Sequence, residues 1–307
     1  MLSGIINIYK ERDWTSSDVV VKLRHMLKIK KIGHTGTLDP AAEGVLPICV
    51  GRATQLSDYI MDKTKTYEAE LILGKVTDTQ DVTGNIIDEN DPNVSTEQLA
   101  VVLNSFVGEI QQIPPMYSAI KHNGKKLYEL ARNGITVERT PRTVNIYSVE
   151  LLHCGTDNRY IIRVKCSKGT YIRTLCHDIG QALGCGACMG RLVRTACDNF
   201  VLDKSLTIDE VGELIAKGDF SFISDFEQAV SKFPVVHINK EFAFHFLNGL
   251  DADKKRYSSE CDIKIGDIVR VHIDGVFCAV ALLTCNGLHV KNILVDTQEF
   301  IRELNNG

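Results

Sequence analysis

The residues best suited to chemistry lie in a loop between Gly33 and Pro47. Three glycines and two prolines among these fifteen residues predict neither a regular helix nor a central strand. Within this loop Asp39 is a carboxylate held between a glycine-rich turn and Pro40, which fixes the backbone that follows it. Such a carboxylate could act on a substrate. Asp-Pro also opens many surface turns, so these residues alone leave both interpretations open.

Four motifs follow one another along the chain. They are GHTGTLDP at 33–40 with GVLP at 44–47, KTY at 65–67, KGTYIR at 168–173 and GRLVR at 190–194. In sequence and in order they resemble the motifs of the TruB-type tRNA pseudouridine synthases. The resemblance covers nearly the whole chain. It implies an enzyme that isomerises uridine to pseudouridine at position 55, in the T loop of tRNA.

The resemblance also implies roles for single residues. Asp39 would be the catalytic carboxylate, Arg173 its ion-pair partner, and Tyr67 the ring that packs on the target base. His34 would fill the space left by the extruded uridine or contact the displaced nucleotides, and Leu192 would wall the pocket. The other substrate-binding residues that we expect are Lys10, Thr37, Lys121, Arg132 and Arg194.

The reaction explains these residue types. Breaking the bond from N1 to the sugar and rejoining uracil through C5 needs an ionised carboxylate as nucleophile or base. An arginine beside it stabilises that charge against desolvation. The target uridine is stacked in an RNA loop, so its extrusion costs a few kcal/mol, which stacking on an aromatic ring offsets by roughly 1–3 kcal/mol. Since isomerisation involves no redox change and no group donor, we expect neither a cofactor nor a metal.

Cys185 and Cys188 have the spacing of a metal knuckle or a redox pair. A structural zinc site needs a second pair of ligands, and none follows at a suitable distance in the sequence. His177 and Cys197 could be recruited, but the family needs no metal. We therefore expect Cys185 and Cys188 to be reduced thiols that pack in the interior.

The spacing of hydrophobic residues and the helix-capping residues predict the strands and helices that carry the motifs. Segments 67–73, 144–152 and 160–166 alternate as half-buried strands do. A helix with one apolar face is predicted from Ile172 to Leu183, which places Arg173 in its first turn. Capping residues predict three more helix starts, at 15–18, at 95 and at 207. After Lys10 the family usually has a proline and a glycine, but this chain has Glu11 and Asp13, so the turn there is not predicted.

The fold class predicted from these elements is α/β, more narrowly α+β. We expect a mixed, mainly antiparallel central sheet with flanking helices, as the resemblance implies for the pseudouridine synthase fold. Residues 1–232 would form the catalytic domain, with an RNA-binding insertion at about 112–143. Asp274-Gly275 and Asn286-Gly287 separate alternating runs as hairpin turns do. Residues 233–307 would therefore form a small β-barrel, which resembles the RNA-binding PUA domain.

The charges of the 307-residue chain are unevenly distributed. Its formal net charge is −4, yet cations collect at 22–31 and 121–142, and acids at 78–91 and 203–227. A basic groove on an otherwise acidic protein requires such segregation, although solvated helix faces would produce the same runs. The cations that we expect along the RNA path, acting mainly on phosphates, are Lys121, Lys125, Lys126, Arg191 and Arg194.

The composition is that of a globular protein, with 44% hydrophobic and 24% charged residues. The first twenty residues contain no apolar h-region, and no long apolar run follows, so neither secretion nor a membrane span is predicted. Ten scattered cysteines fit reduced thiols. We expect a cytoplasmic monomer that acts on the T stem-loop of tRNA without a protein partner.

Two other functions remain open from the sequence. A guide-RNA-dependent pseudouridine synthase shares the GHTGTLDP loop, but the segment from Pro114 to Arg132 resembles the standalone bacterial form. A non-catalytic protein that binds or folds tRNA would not need Asp39 and Arg173. Activity on bare tRNA would separate these alternatives.

Overall fold

The structure is a computed structural model that describes residues 2–61 and 64–306. In chain order the strands are β1 (Gly4–Lys10), β2 (Ile32–His34), β3 (Glu43–Val50), β4 (Lys65–Leu73), β5 (Lys75–Thr77), β6 (Ile86–Glu89), β7 (Gly108–Gln112), β8 (Lys121–His122), β9 (Lys125–Lys126), β10 (Arg142–Cys154), β11 (Arg159–Cys166), β12 (Ala187–Cys197), β13 (Phe200–Val201), β14 (Val235–Ile238), β15 (Tyr257–Ser259), β16 (Ile268–Ile273), β17 (Val276–Thr284) and β18 (Gly287–Ile293). The α-helices are α1 (Ser16–Leu27), α2 (Ser57–Met61), α3 (Thr96–Ser105), α4 (Leu127–Arg132), α5 (Ile172–Ala182), α6 (Ile208–Ala216), α7 (Ala243–Leu247) and α8 (Thr297–Asn306). Short 3-10 helices lie at Gly51–Leu56, Leu202–Lys204, Glu227–Val230 and Lys240–Phe242.

A nine-stranded sheet forms the body of the molecule. Its strand order is β1-β3-β12-β4-β11-β10-β7, with β2 attached to β3 and β13 to β12. Among these described strands β12 and β3 pair in parallel, and the other pairs are antiparallel. The predicted fold class, with a mixed and mainly antiparallel central sheet, is confirmed. The expectation of no central strand between Gly33 and Pro47 is wrong for the last residues of that segment, because β3 begins at Glu43 and lies between β1 and β12.

Strand β4 lies inside the sheet, between β12 and β11, and alternates as its sequence predicts. Ala69, Leu71 and Leu73 are buried and belong to the main hydrophobic core. Helix α5 packs on this core with Leu175 and Ile179, both fully buried. Each such aliphatic side chain stabilises the fold by roughly 1.5–3 kcal/mol. This packing fixes the first turn of α5, which carries Arg173, against the sheet.

The start of helix α1 is joined to the glycine loop. Thr15 caps the helix in a capping box with Asp18, as predicted. The next residue, Ser16, is buried and accepts a hydrogen bond at its Oγ from the Leu38 amide at 2.9 Å. Asp13 has a φ of 67° and donates its amide to the Pro40 carbonyl at 2.8 Å. An aspartate thus adopts the left-handed conformation that glycine usually supplies, and the turn is retained.

The proposed insertion leaves the central sheet at one edge and returns to the same edge. Strand β7 ends at Gln112, which pairs with Arg142, the first residue of β10. Between these residues lie the β8–β9 hairpin and helix α4. Leu127 is buried and anchors the helix, while Lys121 and Lys125 are exposed. The base of this segment is therefore held by the sheet, and its basic tip faces solvent.

The C-terminal residues fold around a second sheet of five strands, in the order β15-β14-β16-β17-β18. The predicted turns at 274–275 and 286–287 separate β16, β17 and β18, and the sheet is consistent with a small PUA-like module. An apolar cluster connects the two sheets, and its buried members are Ile5, Cys49, Ala53, Leu56, Ile60, Ala229, Val230, Val280 and Leu294.

Among the described residues, no helix is both long enough and apolar enough to cross a membrane.

Candidate active site

Asp39 lies on a loop whose backbone is fixed by short hydrogen bonds. The Thr35 amide and its Oγ1 both donate to the Pro47 carbonyl at 3.1 Å, and Thr35 is buried. Leu38, also buried, donates to Ser16 as described above, and the Ala42 amide donates to the Asp39 carbonyl at 3.0 Å. The Asp39 side chain is 50% exposed. The loop therefore presents a half-exposed carboxylate on a rigid backbone.

Arg173 is the cationic partner of Asp39. Its Nη2 lies 3.0 Å from Asp39 Oδ2, so the ion pair expected from the resemblance is present. The arginine side chain is only 7% exposed. Its remaining hydrogen bonds go to the main-chain carbonyls of Thr79 (3.3 Å) and Tyr117 (2.9 Å). The guanidinium is therefore held by several groups, and its orientation toward Asp39 does not depend on Asp39 alone.

Asp81 is a second carboxylate at this arginine, and sequence reasoning missed it. Its Oδ2 lies 3.5 Å from Arg173 Nη1, and its side chain is 14% exposed. The turn that carries it is held by Thr174, whose Oγ1 donates to the Gln80 side chain at 2.8 Å. The sequence indicates only a polar hairpin loop at 77–84, because no local signal shows that this turn reaches the first turn of α5.

A cavity of about 220 Å³ opens beside Asp39. Leu192, expected to wall the pocket, lines it and is 7% exposed. Charged groups of both signs lie around the same space, namely Arg12, Asp39, Glu70, Asp81, Arg159 and Arg191. The cavity thus combines an apolar wall with a charged rim, as a site for a base and its phosphates requires.

Tyr67 lies on β4, paired with Val164 on one side and Arg194 on the other. Burial raises the pKa of its hydroxyl to about 12, with the Arg194 guanidinium opposing that shift, so the phenol stays protonated at neutral pH. Tyr67 is not among the described residues that line the cavity. A contact between Tyr67 and the target base therefore stays a prediction.

Lys10 and Arg194, both expected to bind the substrate, are buried in the structure. Lys10 is fully buried, and its Nζ donates to the main-chain carbonyls of Glu11 (2.9 Å), Trp14 (2.7 Å) and Pro40 (3.2 Å). Burial lowers the pKa of Lys10 from 10.5 to about 8.

Arg194 is 1% exposed and donates its Nε to the Val45 carbonyl at 2.6 Å. Its Nη2 approaches the Gly36 carbonyl at 3.5 Å. A Cβ at Gly44 would clash with the main-chain carbonyl oxygen of Arg194, so only glycine fits there. Both cations donate to main-chain carbonyls at or beside the loop that carries Asp39, so they help to shape it. A direct contact of either side chain with RNA stays a prediction.

His34 and Thr37 lie on the same loop. The His34 Nδ1 accepts the Gly36 amide at 3.4 Å, which leaves a neutral imidazole. Burial lowers the pKa of His34, and the neighbouring Arg194 lowers it further. Thr37 is exposed. A contact of either residue with RNA stays a prediction.

The basic residues of the insertion are accessible. Lys121 and Arg132 are exposed, and the Arg132 guanidinium lies 5.4 Å from the centre of the Tyr128 ring, where a cation–π contact is favourable. Arg191 differs from them because its guanidinium contacts Glu43 at 2.6 Å. A phosphate contact by Arg191 would have to compete with that carboxylate.

Cys185 and Cys188 are free, buried thiols. Burial raises the pKa of Cys188 to about 11, and the Cys185 Sγ donates to the Gly186 carbonyl at 3.4 Å. Within residues 2–61 and 64–306, no group of three or more His, Cys, Asp or Glu side chains has an arrangement suited to a metal ion. Their role as packing thiols stays a prediction.

The chain matches two family models. Residues 24–172 match the TruB family pseudouridylate synthase (N-terminal domain), and residues 173–230 match the tRNA pseudouridylate synthase B C-terminal domain. Proteins named tRNA pseudouridine synthase B are similar over most of the chain. The protein from Clostridium tetani is 44% identical over 96% of this chain and 100% of its own length. The protein from Staphylococcus haemolyticus is 45% identical over 84% of this chain and 88% of its own.

Solved structures also resemble the chain. A chain of a Cbf5–Nop10–Gar1 complex has a TM-score of 0.74 and 27% identity, covering 96% of this chain and 86% of its own. A chain of an H/ACA ribonucleoprotein bound to a substrate RNA containing 2′-deoxyuridine has a TM-score of 0.72 and 25% identity, with the same coverage. The similarity extends through both sheets.

Proposed function

The chain belongs to the TruB family of pseudouridylate synthases and isomerises uridine to pseudouridine in tRNA, and from this premise we propose that it acts on position 55 in the T loop. The observation that carries the site assignment is the ion pair between Asp39 and Arg173 at the mouth of the cavity. Asp39 is the essential carboxylate in this proposal. It acts as nucleophile or base toward the ribose or the uracil.

The reaction needs the target uridine outside the RNA stack. In the proposal the uracil enters the cavity beside Asp39 and packs on Tyr67, while Leu192 limits access of water. His34, as a neutral imidazole, occupies the space that the base has left. Thr37 contacts the same RNA loop. These contacts form only after extrusion, so they offset its cost of a few kcal/mol.

Arg173 pairs with the Asp39 carboxylate and holds it in position before the reaction. The bond between N1 and the sugar breaks, the uracil turns, and C5 bonds to the same carbon. N1 then takes up a proton and C5 loses one, so no atom or electron is supplied from outside. Because Arg173 is buried and bonded to two main-chain carbonyls, it offers a fixed cation with little reorganisation.

The RNA arm lies along the insertion in this proposal. Lys121, Lys125, Lys126 and Arg132 would contact phosphates, which position the stem without reading sequence. The domain boundaries that we propose follow the two sheets: residues 1–232 form the catalytic domain with the insertion at about 112–143, and residues 233–307 form the PUA-like RNA-binding module.

The protein would work alone, as a monomer in the cytoplasm, where its tRNA substrate is found. The Cbf5 chain is solved together with Nop10 and Gar1, which raises the guide-RNA-dependent form as an alternative. The relatives that match most of this chain are named tRNA pseudouridine synthase B, which favours the standalone form. A protein that only binds tRNA is disfavoured, because such a protein has no use for the buried Arg173 beside Asp39.

Mapping pseudouridine in unmodified tRNA after incubation with the purified protein tests the proposal. We expect modification at position 55 without any added RNA or protein. Modification that requires an added guide RNA would support the alternative form. Modification at another position would overturn the assignment of the T loop.

A further inference from the structure

The arginines around the cavity differ in whether they already have a carboxylate partner. Arg159 Nη1 lies 2.9 Å from Glu70, Arg191 Nη2 lies 2.6 Å from Glu43, and Arg173 contacts Asp39 and Asp81. The remaining arginine that lines the cavity is Arg12. It is exposed and, within the described part of the chain, makes no ion pair with a carboxylate. Its charge is therefore available to a ligand.

The backbone that carries Arg12 is fixed although its side chain is exposed. On one side Lys10, fully buried, donates to the Pro40 carbonyl at 3.2 Å. On the other side the Asp13 amide donates to the same carbonyl at 2.8 Å, with Asp13 in the left-handed region. Arg12 is thus held beside the residue that follows Asp39. The carboxylates of its neighbours Glu11 and Asp13 are exposed and form no ion pair with it in this part of the structure.

From this placement we infer that Arg12 binds one of the two phosphates that flank the extruded uridine. The inference rests on the proposed function, since it supposes that a flipped nucleotide enters the cavity. Three carboxylates line that cavity, those of Asp39, Glu70 and Asp81, and they repel a phosphodiester. A guanidinium forms two parallel hydrogen bonds with phosphate oxygens, which suits both the charge and the geometry of such a ligand. Arg12 therefore positions the target nucleotide over Asp39.

A double-mutant cycle tests this contact directly. The protein change is Arg12→Gln, and the RNA change is a single methylphosphonate on the 5′ or the 3′ side of the target uridine. Dissociation constants are measured for T stem-loop RNA. We expect Arg12→Gln to weaken binding of unmodified RNA about tenfold, as loss of a charge-assisted hydrogen bond does. At one of the two RNA positions the methylphosphonate weakens binding to the parent by a similar factor and has no further effect on Arg12→Gln.

Matched controls separate a local contact from a change in net charge or fold. Lys217, exposed at the end of helix α6 and also without an ion pair among the described residues, loses the same charge in Lys217→Gln, which we expect to bind like the parent. Thermal unfolding of Arg12→Gln should match that of the parent. Arg12→Lys keeps the charge but lacks the planar guanidinium, so its affinity for the RNA should lie between those of the parent and Arg12→Gln.

Two results would overturn the inference. One is that both methylphosphonates weaken Arg12→Gln as much as they weaken the parent. The other is that Lys217→Gln weakens binding as strongly as Arg12→Gln. The same samples of parent protein and unmodified RNA are assayed for pseudouridine. If the parent forms pseudouridine and the cycle shows no coupling, the inference fails alone. If the parent forms none, the proposed function fails by itself.

Discussion

Charged residues near Asp39 divide into two groups according to what their donors contact. Lys10 and Arg194 are buried and donate to main-chain carbonyls, so they determine the shape of the loop. Arg173 is also buried but contacts a half-exposed carboxylate. Sequence alone could not separate these groups, because a lysine or arginine next to a glycine loop looks the same whether it is buried or faces RNA. Asp81 was not predicted for a different reason: its contact with Arg173 joins two segments that are distant in the sequence.

The buried state of Lys10 leads to a prediction for Lys10→Met, which keeps the side-chain length and removes three hydrogen bonds. Leaving buried carbonyls unpaired costs about 1–3 kcal/mol, so the free energy of unfolding in urea should fall by that amount. The slope of log Kd for tRNA against log salt should not change. A slope reduced by about 0.7–0.9 with unchanged stability would show instead that Lys10 contacts a phosphate.

The same lysine predicts a pH effect. Burial lowers the folded-state pKa of Lys10 to about 8, below its ordinary value of 10.5. The unfolded chain therefore binds more protons between these values, and this group makes stability rise with pH in that window. The stability of the parent relative to Lys10→Met should increase from pH 8 to pH 10, measured by urea unfolding at each pH. A constant difference would contradict the lowered pKa.

Tyr67 is predicted to act after the base has been extruded. Tyr67→Leu should reduce the rate of pseudouridine formation far more than tRNA affinity, because the contact exists only with the flipped base. Tyr67→Phe should bind as the parent does, and it keeps the ring as the matched control. Single-turnover rates and dissociation constants provide the measurement. Equal proportional losses of rate and affinity for Tyr67→Leu would indicate a structural tyrosine.

At the scale of elements, three segments converge on Asp39: the glycine loop, the first turn of α5 and the turn at 79–81. Local sequence predicted the elements well where caps or periodicity are strong, as for the helices beginning at Ser16, Thr96 and Ile208. Helix α8 was not predicted. It packs Phe300, Ile301 and Leu304 against the second sheet. These three apolar residues lie among charged and polar ones, and so few do not give a clear helical pattern in the sequence. Which turn reaches which helix depends on tertiary packing, which local patterns do not encode.

The insertion gives a prediction at this scale. The variant Lys121→Gln, Lys125→Gln, Lys126→Gln removes three cations from the hairpin β8–β9. If each contacts a phosphate, the slope of log affinity for tRNA against log salt should decrease by about 2–3. A control with the same charge change carries Lys204→Gln, Lys217→Gln and Lys232→Gln, in or beside the acidic segment, and should keep the parent slope. Equal slopes for all three proteins would place the RNA elsewhere.

At the scale of the whole molecule, the two sheets share a buried apolar cluster that joins the start of the chain to its C-terminal module. Polar contacts add to it: Tyr59 donates to the Asn292 side chain at 3.2 Å, and Arg52 lies 3.4 Å from Asp296. The apolar contacts should dominate, because exposed ion pairs contribute little. The hairpin turns at 274–275 and 286–287 predicted a separate C-terminal module. They carry no information on where the module attaches, so its packing against β1 and β3 was not predictable from them.

This attachment can be tested with two substitutions. Leu294 is 3% exposed within the shared cluster, so Leu294→Ala should lower the free energy of unfolding by about 2–5 kcal/mol. Arg52→Ala, which breaks a half-exposed ion pair, should cost less than about 1 kcal/mol. Urea unfolding followed by fluorescence measures both. If Arg52→Ala lowered the free energy of unfolding more than Leu294→Ala does, the ion pair, and not apolar packing, would hold the module.

The measurement that tests the central claim most directly is the activity and tRNA affinity of Asp39→Asn. This change keeps the size of the side chain and removes its charge and nearly all its nucleophilicity and basicity. Asp203→Asn, an exposed residue far along the chain, is the matched control and should behave as the parent. Since phosphate contacts supply most of the RNA affinity, Asp39→Asn should bind tRNA almost as the parent does, with thermal unfolding confirming that it is folded. We predict that its formation of pseudouridine at position 55 falls to background. A folded Asp39→Asn protein that forms pseudouridine at the parent rate would contradict the assignment of Asp39 as the catalytic carboxylate.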